Sequence, residues 1–149
     1  MANRIYRGPN DRQPKNVADK TVAGAYLPGT FVTEGASTLT QATAFGPNLL
    51  LLANRDFYSE GQFTATDPLL IAYASGDTAV AFDLEPGQRY QAAFAAATYT
   101  YGQELTVGAS GRLAAASSGD KVVGFARFAG AKTAGDLGDF KVANIYSKA

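Results

Sequence analysis

Six carboxylates in the middle of the chain, Asp56, Glu60, Asp67, Asp77, Asp83 and Glu85, are the side chains with the most reactive potential. Two of them facing a sugar could run glycoside hydrolysis, one as the acid and one as the base or nucleophile. They would work alone, because the sequence has no histidine and no cysteine. Those absences remove the usual general base, the common zinc and iron ligands, thiolate nucleophiles, disulfides and the Ser-His-Asp arrangement. Most of the six stand beside glycine or proline, in turn contexts. Asp77 and Asp120 each follow Ser-Gly, where a carboxylate caps its own turn. These acids therefore read as solvated turn residues. The same turns lack the ligand spacing of a calcium loop, so no metal and no cofactor is expected.

Other chemistry is equally sparse. The glycine-rich "GASG" (108–111) is not followed by Lys-Ser/Thr or by a helical pattern, so it reads as a hairpin turn and not as a phosphate loop. Tyr90, Phe94, Tyr99 and Tyr101 could line a sugar-binding face, although aromatic residues at such spacing more often pack a core or an interface. Cations gather at the start. Residues 1–20 carry Arg4, Arg7, Arg12, Lys15 and Lys20 against Asp11 and Asp19, a net +3, and the rest of the neutral chain is net −3. An acidic body with one stacking ring in its basic segment, Tyr6, argues against nucleic-acid binding.

The elements that would position these residues read as strands. Turn signals such as "LPGT" (27–30), "FGPN" (45–48), "EPGQ" (85–88) and "SSGD" (117–120) recur along the chain, separated by strand-length segments. "TAVAFDLE" (78–85) places Val80, Phe82 and Leu84 on one face, and "QELTV" (103–107) places Leu105 and Val107 inward. "NLLLLA" (48–53) and "LLIAY" (69–73) are continuous apolar runs that predict strands covered on both faces. "KVVGFARF" (121–128) and "FKVANIY" (140–146) have strand composition, and "ASGDT" (74–78) and "GASGR" (108–112) predict hairpin turns. In "QRYQAAFAAAT" (88–98) the alanines argue for a helix while the flanking Pro86-Gly87 and Tyr99-Thr100-Tyr101 suit strands, so both stay open. The expected fold is all-β: a compact β-sandwich or β-barrel with at most one short helix. Uninterrupted apolar stretches such as Leu49 to Ala53 are far shorter than a membrane span, and no signal peptide is readable, so a soluble chain is expected. The division expected is an extended basic N-terminal arm, residues 1–20, and a single β domain, residues 21–149.

One order of elements resembles a known family. Within residues 83–130 a "GQELTV" strand (102–107) is followed by the turn "GASGRL" (108–113), an Ala/Ser link and "GDKVVGFA" (119–126). This order resembles the decoration, or cement, proteins of tailed-bacteriophage capsids, over about a third of the chain. The resemblance implies a β-tulip-like, non-enzymatic protein on the outer surface of a virion. It would bind major capsid protein at junctions between subunits, commonly as a homotrimer and sometimes as a dimer, and would stabilise the head. In several such proteins a terminal arm lies along the capsid and adds a strand to a neighbour's sheet, and residues 4–20 match that arm in position and character. In this reading Arg4, Arg7, Arg12 and Lys15 meet acidic patches, Ile5 and Tyr6 are apolar anchors, and Pro9 and Pro14 keep the arm extended. A tail or fibre subunit and a carbohydrate-binding β module are the alternatives.

Overall fold

A computed structural model describes residues 4–54 and 68–149, and these fold entirely into strands, turns and short 3-10 segments. Strands β2 (Lys15–Val22), β3 (Phe31–Glu34), β4 (Thr38–Gln41), β5 (Leu49–Leu52) and β6 (Thr78–Asp83) close into a barrel in the order β2-β4-β3-β5-β6. Pairing is antiparallel except between β2 and β4. The period of two decides which side chains fill it. Val22, Val32, Leu39, Leu50, Leu52, Ala79 and Ala81 come from all five strands into one buried cluster, the barrel interior. Their neighbours Phe31, Leu51 and Phe82 point the other way, into a second and larger core. The four leucines of β5 run without a polar break because both of its faces are covered.

That second core lies between the barrel and a six-stranded antiparallel sheet. The sheet contains β1 (Tyr6–Gly8), β7 (Arg89–Ala93), β13 (Leu137–Ser147), β11 (Lys121–Ala126), β9 (Glu104–Val107) and β10 (Leu113–Ala115), in that order. Tyr90, Ala92, Leu105, Val107, Leu113, Val123, Phe140 and Val142 supply its side of the core. A separate ribbon pairs β8 (Ala97–Tyr99) with β12 (Gly130–Lys132). On the sheet's far face Ala116, Val122 and Ala143 form a small third cluster beside Phe125. The barrel and the sheet are pinned at Gly111, in the β9–β10 connection. Its φ of 63° is open to glycine, and its N–H donates to the Ala42 carbonyl at 2.7 Å. A Cβ there would sit 2.7 Å from Thr30 Cγ2 and against the Phe31 carbonyl oxygen.

The all-β expectation holds, and a closed barrel is one of its two forms. The segments 48–53, 78–85, 103–107, 121–128 and 140–146 each contain the expected strand, and 108–112 connects β9 to β10. Residues 88–98 become β7 and β8, not a helix: Tyr90, Ala92 and Phe94 alternate into the core, which outweighs alanine's helical preference. Residues 69–73 do not form a strand. Pro68–Leu70 is a 3-10 turn, Leu69 plugs the main core, and Tyr73 makes a lone bridge to Tyr26. The 74–78 turn therefore joins Tyr73 to β6 without pairing the two.

The largest departure is at the N-terminus. No separate arm divides from the domain at residue 20, because β2 runs through that position as a wall of the barrel. Upstream, β1 pairs with β7 and Ile5 is 0% exposed in the main core. Fixing this segment is offset by burying Ile5 and part of Tyr6 and by main-chain pairing.

Candidate interaction surface

The six residues expected to grip a capsid end up in three different situations. Ile5 is core, and its carbonyl accepts from the Gln91 N–H at 2.6 Å. Tyr6 is half-buried, its ring 5.2 Å from Tyr90 and 6.3 Å from Phe82, and its hydroxyl donates to the carbonyls of Pro9 (2.5 Å) and Arg12 (3.2 Å). The second pair is neutralised within the fold. Arg7 Nε lies 3.2 Å from Asp139 Oδ1, and Lys15 Nζ lies 2.9 Å from Glu85 Oε1. The hydrogen bond between Lys15 and Glu85, then their charges, raise the lysine's pKa above its ordinary value and hold the glutamate's below its own. Arg4 and Arg12 are exposed. The structure thus packs Ile5 and Tyr6 into the domain, pairs the exposed Arg7 and Lys15 with its own acids, and leaves Arg4 and Arg12 exposed.

Several of the chain's carboxylates are likewise held by the fold. Asp77 Oδ2 accepts from the Ala74 N–H at 2.9 Å, and Asp120 Oδ2 accepts from the Ser117 N–H at 2.8 Å, the expected turn caps. Asp136 does likewise with the N–H and hydroxyl of Thr133, which hold its carboxyl below the usual range. Asp56, Glu60 and Asp67 lie outside the described residues. Among the described residues no three Asp or Glu side chains gather as a metal site would require. The aromatic set does not form a sugar-binding face: Tyr90, Phe94 and Tyr99 are buried, and Tyr101 alone is exposed, with Arg127 over its ring at 5.1 Å. Burial pushes the Tyr90 hydroxyl far up, and that hydroxyl donates to Gln88 Oε1 at 2.6 Å.

A cleft of about 370 Å³ opens where the barrel meets the sheet. The end of β6 contributes Asp83 and Leu84, and the β4–β5 connection contributes Phe45 and Pro47. The sheet contributes Val142 and Ile145 from β13. Strand β13 is irregular here. Val122 pairs with Tyr146, yet two residues further along β11 Gly124 pairs with Val142, so β13 carries extra residues between. The irregularity leaves Ile145 55% exposed at the cleft while Tyr146 turns to the far face, where its hydroxyl donates to Glu104 Oε2 at 2.6 Å. Sequence reasoning did not single out this cleft. Its one visible signal was the adjacent apolar pair Ile145-Tyr146, which a two-faced strand cannot bury on one side.

No protein-family model matches the chain, and no curated protein matches it in sequence. A solved structure does match: the N base of the head fiber gp8.5 in bacteriophage phi29, with a TM-score of 0.54. The two are 13% identical, and the alignment covers 92% of this chain and 98% of that one. The fold is shared across the barrel and the sheet alike.

Proposed function

We propose that this protein is a structural component of a bacteriophage virion. It sits on the outer surface of the head, at junctions between major capsid protein subunits, and stabilises the shell. The observation that carries the reading is the architecture shared with a head-fibre base over 92% of this chain and 98% of that one. The order of elements in residues 102–126 supports it from the sequence side. The role proposed is non-enzymatic; among the described carboxylates Asp77 and Asp120 cap turns and Glu85 pairs with Lys15. A homotrimer is the assembly we propose, placed at three-fold positions. The contact to the capsid is not a free basic arm. It is made by the folded body, with Arg4 and Arg12 as the outward cations of the N-terminal segment.

A second reading has support from the same neighbour: the domain serves as the attachment base of a head fibre instead of a cement protein. One experiment addresses both. Purified protein is mixed with heads of the parent phage that lack it, and bound protein is counted after sedimentation, with the free protein's mass measured by light scattering. A saturable copy number that is a multiple of three per shell, with a trimeric free protein, supports the proposal. Failure to co-sediment at any concentration contradicts both readings.

A further inference from the structure

We infer that the cleft beside β13 is a docking groove for an extended strand from another virion polypeptide. The inference rests on the virion reading above and names a partner contact within it. Its first support is an open strand edge. Strand β7 pairs with β13 through Lys141, and Val142 closes against Gln88 and Gly87. From Ala143 to Ser147 that same edge of β13 has no strand beside it among the described residues, while the opposite edge continues to pair with β11. Backbone N–H and C=O groups along such an edge are a template for one kind of guest, a chain in the extended conformation.

The groove beside that edge is made for the guest's side chains. Leu49, Leu84, Pro86, Val142 and Ile145 line it, an apolar trough of about 370 Å³, room for one or two aliphatic side chains. Natural edges are commonly guarded by lysine, proline or an inward charge. Here the edge instead presents Ile145, more than half exposed. Charge adds the third feature. Asp83 lies at the groove and is exposed; Lys15 stands opposite it across β2–β6 and senses its charge, but gives its close ion pair, at 2.9 Å, to Glu85, so Asp83 is left with no direct ion pair among the described residues. The guest is therefore an extended segment with one or two aliphatic residues for the trough and a lysine or arginine over Asp83. A second copy of this chain fits less well. A symmetric edge-to-edge pair would lay residues 143–147 of one copy beside those of the other, and that segment, Ala-Asn-Ile-Tyr-Ser, offers no cation for Asp83.

The test uses the full chain and heads that lack it. Because the chain has no cysteine, Ile145→Cys carries a benzophenone label at a single site. After illumination on heads, mass spectrometry identifies what lies in the groove. The expected result is one segment of another virion protein with a cation near the linked residue. Ile145→Lys should weaken head binding by at least about tenfold, since it puts a charge in an apolar trough. Asp83→Asn, an exposed and structurally mild change, should weaken it about two- to fivefold and flatten its salt dependence. If wild type binds heads and both variants bind equally well, the groove is not the contact, and the virion reading stands without it. Cross-links only to a second copy of this chain overturn the proposed guest. Failure of wild type to bind heads overturns the virion reading itself, and the inference falls with it.

Discussion

Replacing Ile5 by alanine is the sharpest perturbation of the fold. The side chain is completely buried in the core between barrel and sheet, and its carbonyl holds the Gln91 N–H. The site is tight: a Cβ added to Gly29 would approach Ile5 Cδ1 at 3.4 Å. Truncating a buried isoleucine costs about 2–5 kcal/mol, the transfer energy of the removed carbons plus a cavity that neighbours only partly fill. Taking about 3 kcal/mol and a urea slope of about 2 kcal/mol per molar, the unfolding midpoint should fall by about 1.5 M. The same loss should lower Tm by about 6–12 °C for a chain of this size. Arg4→Ala, at an exposed neighbour, should stay within about 0.5 kcal/mol of wild type. Equilibrium urea unfolding followed by tyrosine fluorescence and circular dichroism makes the comparison. If Ile5→Ala unfolds within about 0.3 M of wild type, the segment peels away before the domain melts. It would then be an arm after all, and the packing argument would be wrong.

Tyr99→Ala should cost about 3–5 kcal/mol, because the ring is 1% exposed and its hydroxyl donates to Ala95 and Leu113 carbonyls, whereas Tyr101→Ala should change stability by under about 0.5 kcal/mol. Urea midpoints of the two variants check this. Gly111→Ala should destabilise by about 2 kcal/mol or more, since it adds strain at positive φ and a clash with the barrel at Phe31 and Thr30; a neutral result would show that the barrel and sheet are not pinned there. The Lys15–Glu85 strap has a definite pH window. Glu85 is lowered in the folded state, so its contribution is complete above its ordinary 4.5 and is lost as pH falls through the folded value. Lys15 is raised, so its contribution is complete below 10.5 and is lost as pH rises through the folded value. Carboxyl NMR should find Glu85 titrating below 4.5, and Lys15→Ala should return it toward that value.

Much of the fold was legible because a strand's period of two is written locally. Val80, Phe82 and Leu84 do share the face toward the main core, while Ala79 and Ala81 line the barrel interior. The leucine run of β5 announced a strand covered twice, although not that one cover would be a barrel's own lumen. Residues 69–73 carried the same signal falsely: Leu69 and Tyr73 are buried as two separate plugs, so continuous apolarity reflected a chain crossing the core rather than lying in a sheet. The N-terminal segment was misread for a different reason. Ile5 and Tyr6 among polar residues give no local sign of burial, and what holds the segment is distant in sequence: Gln91 for Ile5, Phe82 and Tyr90 for Tyr6, and Asp139, 132 positions away, for Arg7. The turn-capping roles of Asp77 and Asp120 were readable since cap and turn lie three residues apart. The groove was not, because it depends on where β7 stops pairing and where β13 bulges, both properties of register.

The virion reading meets its most direct test in a cryo-electron-microscopy reconstruction of the parent phage particle. The account predicts density on the outside of the head, over junctions between major capsid subunits, into which the barrel and six-stranded sheet fit together. A head surface bare at those junctions, with the protein located on the tail or absent from the particle, would contradict it.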